Sequence, residues 1–579
     1  MAEKHPSYHN LPDRTPIRQR GGLGLSSTVL LAAVVFLLGN SLPKISWISI
    51  PGVSEALNKE PSTKYSVSDL TAAKCPPQPP LLDKGSDWNP MTDDAFIELA
   101  SKRLSKAVQI DTVSFDNMPM DASDSAFDKH YKLSEWLESE YPNLFKAPLK
   151  HEYVNTHGHL FTWEGTDSKL KPILLMAHTD TVPVLPATLD QWTFEPWSGR
   201  IESDVLPDTP GKWIWGRGSS DCKNQLLGTF NAVERLVQEG YKPERTILIA
   251  NGFDEEVGGF RGAQSISKVM QDRYGPNSIA FALDEGFSGI STEYGASVAS
   301  FGMAEKGAIN VVIRVENPGG HSSVPPEHTG IGVMSLILTA LEAHPFRPEL
   351  NPMGPFIKHL SCLADLAPDA PSKLKKDLKN PKKWDKMARD LAGGDRIMNS
   401  YLATTQAIDI IGGGVKINAL PEYVEAQVNS RISFTSSVDE TLEHLVEIIK
   451  PVVDSLNYTF SPFDNSRKSS IRHVSLELDG RGRLEPAPIT SAEDPSFELM
   501  GGTTKAVFGK DTLITPTGMY ANTDTRMMWN LTTNLYRFTP SVMSDFHVHT
   551  VDERMPLDGH LNTTRFIYKL IKNSEGWRD

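Results

Sequence analysis

The sequence predicts an α/β fold: a mainly parallel-sheet domain interrupted by a smaller α+β sandwich domain, after an N-terminal transmembrane helix. Short apolar runs alternate with amphipathic stretches through the first half of the chain, the pattern of βα units around a parallel sheet. Near Gly302 the texture changes to β-α-β-β-α-β, and the first pattern returns from about Pro486. Residues 21–43 carry no charge and centre on VLLAAVVFLL at 29–38.

The runs 173–177 (ILLMA), 246–251 (TILIAN) and 279–283 (IAFAL) read as strands buried on both faces, and residues 224–238 have helical spacing between the first two. Strand-like segments at 308–315, 403–411, 423–432 and 458–460, with helices at 332–343 and 437–453, make up the smaller domain. A Lys-, Asp- and Pro-rich stretch at 368–396 reads as a helical insertion.

The apolar segment is long enough to span a bilayer, and Lys4, Arg14, Arg18 and Arg20 before it favour a cytosolic N-terminus. A cleaved signal peptide is the competing reading, for which the leading region is long. The expected layout is therefore a cytosolic tail (1–22), a transmembrane signal-anchor (23–43), a stalk rich in Pro, Ser and Lys (44–85), the larger domain in two parts (86–303 and 486–579) and the smaller domain (304–485). Sequons at Asn457, Asn530 and Asn562 agree with a lumenal or extracellular body. The net charge of −14 excludes a basic nucleic-acid-binding surface as the chain's general character. The cysteines, Cys75, Cys222 and Cys362, form at most one pair, with the pairing open. Cys-based zinc motifs are excluded, so a metal must sit on His and carboxylates.

Candidate ligands stand at strand ends, where open α/β sheets place their sites. His178-Thr179-Asp180 follows the first buried strand, and Asp180 is spaced to orient the imidazole. Gly216-Arg217-Gly218-Ser219-Ser220-Asp221-Cys222-Lys223 sets Asp221 at a helix start, where a carboxylate is favourable even without metal. Asp254-Glu255-Glu256 follows the second strand, an acidic crowding that needs a cation or a proton. Asp284 ends the third, and His549 lies in His549-Thr550-Val551-Asp552-Glu553. Singly these are turn pairs, caps and acidic loops. Together they supply the hard oxygen and imidazole donors of a two-metal site.

The ordered motifs His-x-Asp, Gly-Arg-Gly-x-x-Asp-x-Lys, Asp-Glu-Glu-x-Gly and His-x-x-Asp-Glu resemble the di-zinc metallopeptidases that include carboxypeptidase S, aminoacylase and the glutamate carboxypeptidases. The resemblance runs from about Thr92 to the C-terminus. It implies a di-zinc catalytic domain and a smaller lid and dimerisation domain. His178 and Asp284 would hold one zinc, Glu256 and His549 the other, and Asp221 would bridge them. Asp180 would orient His178, and Glu255 would be the general base. The Asp221–Cys222 peptide would be cis, and His547 would have no role in the site. Gly319-Gly320-His321-Ser322-Ser323 resembles the lid motif whose His stabilises the oxyanion. Asn418 and Arg431 resemble the substrate-contacting Asn and the residue that grips the substrate carboxylate. Ala521-Asn522-Thr523-Asp524 resembles a loop beside the substrate.

The implied activity is zinc-dependent removal of C-terminal residues from short peptides of Gly-X type, in a vacuole lumen behind a single-pass membrane helix. The resemblance further implies ubiquitination of Lys4 in the tail and a homodimer, which the 368–396 insertion puts in question. The same metal set would also serve an N-acyl-amino-acid amidohydrolase. A non-catalytic membrane receptor would show eroded ligands, and none is missing.

Overall fold

The computed structural model describes residues 65–66, 68–84, 88–207, 209–286, 289–464, 471–480, 482–543 and 546–579, all within the compact unit Lys44–Asp579. The expected transmembrane helix and Lys4 lie outside the described residues, among which no helix is long and apolar enough to cross a membrane.

A nine-stranded sheet forms the main frame. At its centre, Ile173–His178 runs parallel to Ile247–Gly252 on one side and to Phe281–Asp284 on the other, and Leu535–Arg537 continues parallel to Phe281–Asp284. Their side chains alternate between two cores. Ile173, Leu175 and Ala177 join Leu226, Phe230 and Phe566, whereas Leu174 and Met176 join Leu248, Ala250 and Ile266. Helices Lys223–Gln238 and Leu557–Asn573 cover the first face and Ala263–Tyr274 the second. These strands are buried on both sides, which explains their unbroken apolar runs. The three central strands end at His178, Gly252 and Asp284, so their carboxyl termini converge on one rim.

The sheet is mixed rather than mainly parallel. Leu149–Val154 and Gly158–Trp163 form an antiparallel hairpin whose turn holds Asn155 and Thr156 at φ 47° and 72°, and Gly158–Trp163 joins Ile247–Gly252 antiparallel. A hairpin needs only this tight turn, whereas a parallel pairing needs a long crossover. On the far side Leu535–Arg537 meets Ala296–Glu305 antiparallel, and Ala296–Glu305 carries Leu513–Met519 in parallel.

The smaller, five-stranded sheet orders Thr405–Gly413, Tyr423–Ile432, Gly307–Glu316, His473–Leu478 and Thr459–Pro462. Helices Gly330–Ala343 and Val438–Ser455 pack on one face around Val311, Ile313, Val424, Val428, Ile337 and Ile448. Along Tyr423–Ile432 burial alternates residue by residue, leaving Gln427, Asn429 and Arg431 on the opposite face. His473–Leu478 is an addition to the expected strand set.

The expected stalk, 44–85, is shortened by packing. Gln78 bonds the main chain of Ile514 in both directions at 2.9 Å, the Leu82 amide donates to the Gly502 carbonyl at 3.1 Å, and Cys75 is disulfide-bonded to Cys362. Cys362 belongs to helix Pro355–Leu366, which with Ser372–Leu378, Trp384–Ala392 and Arg396–Leu402 forms the insertion, larger than residues 368–396. Cys222 is a free, buried thiol.

Behind the first strands lies a group of buried imidazoles. His159 Nδ1 is 3.0 Å from His151 Nε2, and His159 Nε2 is 3.1 Å from Ser134 Oγ. Burial pushes His159 down to about 3 and His151 to about 4, so both are neutral in the fold. A histidine whose folded pKa is depressed takes its proton only on unfolding. Its stability contribution is intact above the unfolded pKa near 6.5 and is lost as pH falls toward 3. Each such group costs about 1.4 kcal/mol per pH unit in that window. Urea melts at pH 7 and 5 should show His159→Gln losing less stability on acidification than the parent chain. Equal losses would remove His159 from the acid response.

Candidate active site

The site is assembled from loops that leave the converging strand ends. His178, 1% exposed, closes its strand. Its Nε2 lies 3.0 Å from Asp221 Oδ1 and 3.1 Å from Glu285 Oε1. The other Asp221 oxygen, Oδ2, lies 3.0 Å from His549 Nε2, which is in turn 3.1 Å from Glu256 Oε2. Asp221 therefore presents one oxygen to each of two imidazoles, the disposition of a bridging ligand. The Asp221–Cys222 peptide is cis.

Each donor is held from behind. Asp180, fully buried, lies 3.3 Å from His178 Nδ1 through Oδ1, and the His178 Nδ1 also faces the Asp180 carbonyl at 3.0 Å. The same carboxylate accepts the amides of Glu255 and Glu256, at 3.0 and 3.2 Å, and so fixes the base loop to the His178 strand. Asp254 closes that loop by accepting from the Arg261 and Gly262 amides and from Arg261 Nη1. Glu553, fully buried, pairs with Arg217 at 2.5 Å and accepts the amides of Gly218, Ser220 and Asp221. One carboxylate thus organises the turn that presents Asp221. His547 is outside the ligand chain. Its Nδ1 donates to the Val551 carbonyl at 2.7 Å, bracing the turn that carries His549.

Two carboxylates stand at this strand end, the expected ligand Asp284 and its neighbour Glu285. Asp284 ends its strand, accepts from the Glu285 amide at 2.9 Å through Oδ1, and leaves Oδ2 buried without a hydrogen-bond partner. Glu285, the next residue, meets His178 Nε2 through Oε1. A buried carboxylate oxygen with no protein partner, as at Asp284, is suited to a cation.

The electrostatics match a cation site. Burial works against ionised Asp221, but hydrogen bonds from His178 and His549 hold it below the usual carboxylate range. Burial, then the charge of Asp221, raises Glu256 to about 7 and Glu285 to about 8, and burial raises Asp284 to about 6. Burial also drives Glu255 well above its ordinary value. This many buried carboxylates at neutral pH require protons or cations. His178, Asp221 and Glu256 bring their donor atoms within 4.8 Å of one another, as do His178, Glu285 and the Cys222 thiol. The donors fit metal ions. Cys222 is kept protonated by burial and sits under the His178 main chain, its Sγ 3.3 Å from the His178 amide.

A cavity of about 580 Å³ opens over this rim, with Asp221, Glu255, Glu256, Glu285 and His549 on one wall. Arg431, from the smaller sheet, lines it too and donates to Asn522 Oδ1 at 2.5 Å. The Asn522–Asp524 loop contributes in a second way. Both Asp524 oxygens are buried without hydrogen-bond partners, and a Cβ at Gly252 or Gly259 would collide with them. Those glycines let the 521–528 segment press against the base loop.

His321 and Asn418 are not among the described residues lining the cavity. They stand on a small exposed ribbon in which Gly320–His321 pairs with Ala419–Leu420, and His321 Nδ1 faces Ser323 Oγ at 2.7 Å. Of the sequons, Asn457 and Asn530 are exposed. Asn562 is half-buried inside helix Leu557–Asn573, with its sequon Thr564 fully buried.

Fold and site define a metallohydrolase built on a mixed α/β sheet. The chain belongs to the peptidase family M20/M25/M40, whose model matches residues 174–573. It is 39% identical to carboxypeptidase S of Saccharomyces cerevisiae over 83% of this chain and 85% of that protein. It is 31% identical to the mouse N-fatty-acyl-amino acid synthase/hydrolase PM20D1, over 82% and 88%. Among solved structures, the dipeptidase Dug1p of Saccharomyces cerevisiae covers 88% of this chain and 99% of its own, with a TM-score of 0.55 at 15% identity. The metallo-carboxypeptidase Sso-CP2 of Sulfolobus solfataricus covers 82% and 98%, with a TM-score of 0.54 at 16% identity.

The ligand order can be tested by metal content. Asp284→Asn should lose about one equivalent of bound metal after dialysis, and Glu285→Ala should retain both. The reverse pattern in elemental analysis would make Glu285 the ligand.

Proposed function

We propose that this chain is a zinc-dependent carboxypeptidase that removes the C-terminal residue of short, Gly-X-type peptides. The observation that carries this reading is the placement of Glu255 and the imidazole–carboxylate chain across one cavity from Arg431. His178, Asp221, Glu256, Asp284 and His549 would hold two zinc ions, with Glu285 beside His178. When bound, such ions acidify a water and polarise the scissile carbonyl. Glu255 takes the proton of the attacking water and passes it to the leaving amine, a role served by a carboxyl whose pKa burial has raised well above its ordinary value. Arg431, steadied by Asn522, offers its remaining guanidinium donors to the substrate carboxylate, which accounts for cleavage at a chain end. Asp180 keeps His178 and the Glu255 loop in mutual register.

Glu255→Gln should retain metal and lower kcat on an N-blocked Gly-Leu dipeptide by about 10²–10⁴. Arg431→Ala should act mainly on KM for substrates with a free carboxylate and little on their amides. An active Glu255→Gln enzyme would refute the mechanism. The resemblance to PM20D1 supports a second reading, hydrolysis of N-acyl amino acids. Comparative kcat/KM on blocked dipeptides and N-palmitoyl amino acids decides between them.

The second part of the proposal concerns His321 and Asn418. Their ribbon carries exposed apolar side chains, with Val324, Val415 and Ile417 at 80%, 100% and 97% exposure. We assign it to a homodimer contact in which one copy's ribbon completes the other's cavity, so that His321 supports the oxyanion and Asn418 the substrate. Mixing inactive Glu255→Ala and His321→Ala copies should then restore part of the activity. No restoration would place His321 with its own copy's site. The body lies on the lumenal side of a vacuolar membrane, anchored by residues 23–43, ubiquitinated at Lys4 and glycosylated at Asn457 and Asn530. The uncharged N-terminal segment and the exposed sequons support this reading.

A further inference from the structure

The open face of the smaller sheet walls the cavity around Arg431, and its side chains are set out in a definite order. Arg431 and Asn429 stand two residues apart on Tyr423–Ile432, on the same face. Across the strand pairs, Ala308 lies opposite Arg431, while Asn429 lies between Asn310 on one side and Ala407 on the other. Directly opposed side chains stand beside one another, with Cβ atoms about 5 Å apart. The methyl groups of Ala308 and Ala407 therefore leave a shallow track that starts at the Arg431 guanidinium and runs over Asn429.

The polar groups on this track are acceptors. Asn310 Nδ2 donates to Asp479 Oδ2 at 2.7 Å, and Asn429 Nδ2 donates to Asn310 Oδ1 at 2.6 Å. A carboxylate only accepts, so Asp479 fixes the direction of the Asn310 amide, and that amide fixes Asn429. Among the described residues, none donates to Asn429 Oδ1. The far end of the track is acidic. Strand Thr405–Gly413 bulges between Ile408 and Ile410, and both Asp409 and Ile410 line the cavity as a result. Asp409 is exposed and, among the described residues, pairs with no lysine or arginine. Its charge reaches Arg431.

Charge and length together say what fits. A substrate carboxylate neutralises Arg431 and leaves Asp409 unbalanced. Arg526, the other guanidinium on the cavity wall among the described residues, lies over the Phe260 ring on the base-loop side. The side chain of a terminal residue begins one bond from its carboxylate, hence at the start of the track. An extended lysine side chain is about as long as the two-residue step from Arg431 to Asn429, roughly 6–7 Å. An apolar side chain would leave Asn429 Oδ1 without a donor, and an acidic one would repel Asp409. A cationic side chain supplies both the donor and the balancing charge.

We propose that this track receives the side chain of the substrate's C-terminal residue and selects lysine or arginine there, an assignment that rests on the carboxypeptidase reading, in which Arg431 holds the terminal carboxylate.

The test uses the metal-loaded full chain and N-blocked Gly-Lys, Gly-norleucine and Gly-Glu. Norleucine keeps the apolar stem of lysine without its ammonium group. The kcat/KM for Gly-Lys should exceed that for Gly-norleucine about tenfold, with Gly-Glu the poorest of the set. Asp409→Asn, at an exposed position, should lower the Lys-to-norleucine ratio about threefold, and Asp409→Lys should place Gly-Glu above Gly-Lys. Each ratio is read within one protein, so a change in the folded fraction cancels. A parent ratio at or below one, or a ratio that both variants leave unchanged, overturns the proposal. If none of the dipeptides is cleaved, the carboxypeptidase reading fails. Calorimetric binding of Nα-acetyl-lysine and Nα-acetylnorleucine to the same protein then reads the track. Tighter binding of the lysine compound, weakened in Asp409→Asn, supports it, and equal binding of the two overturns it.

Discussion

Asp221 is the residue on which the site depends. Its two oxygens each meet a different imidazole at 3.0 Å, and no other described carboxylate does this. The position is demanding, because Asp221 must reach His178, at a strand end, and His549, on a loop far along the chain. The Gly216–Lys223 turn achieves it through Glu553, which collects three amides of that turn while paired to Arg217. A buried carboxylate with an ion pair and converging amides is costly to break, about 3–5 kcal/mol for loss of one partner. The turn is thus held by an interaction that does not itself touch metal or substrate. Burial, with the charge of Asp221 added at Glu256 and Glu285, leaves these two and Asp284 with raised affinity for a proton or a cation. Hydrogen bonds from both imidazoles offset burial at Asp221 and keep it the acidic member of the group.

Much of this was legible in the chain because the signals were local. The three central strands are short apolar runs, and each ends at a polar residue that the sheet then brings to one rim. His178, Asp221, Glu256 and His549 were identifiable from order and spacing, and Asp180 from its two-residue separation from His178. The second carboxylate at His178, Glu285, was not legible. It follows Asp284 at the end of one strand, and only the direction in which the chain leaves the sheet brings it to the imidazole. Glu553 was visible in its motif but silent, because its function lies in contacts with amides more than 300 residues away. The antiparallel flanks of the sheet were hidden for a related reason: the 149–163 hairpin mixes His, Glu and Thr into its strands and lacks the apolar run that marks the centre.

The smaller sheet shows a different limit of sequence reasoning. Arg431 belongs to a strand whose alternation places it on the open face, and from there it enters the cavity beside Asn522. His321 and Asn418 come from the same part of the chain and carry equally suggestive motifs, yet they stand at an exposed ribbon away from the cavity. Motif resemblance predicts residue type and role but not which surface a loop tip presents. A ribbon joined by two residue pairs has few contacts to fix it, and that is where a site assembled from separate pieces is expected to be incomplete.

The insertion and the N-terminal strap bear on how these two parts are held. Lys306, at the junction of the two sheets, donates through Nζ to the carbonyls of Ser400 and Ala403 at the end of the insertion, while the Lys306 carbonyl accepts from Asn522. His359, within the insertion, meets Thr515 and Glu293 of the main sheet. Arg431, Asn522, Lys306 and the carbonyls of Ser400 and Ala403 thus form one connected polar path from the cavity to the insertion. Its interactions are short and mostly buried, so displacing the insertion would strain the support of Arg431 before it disturbed the metal ligands, which hang from the central strands of the main sheet. The physical separation of the two supports lets substrate recognition vary while the imidazole–carboxylate chain stays fixed.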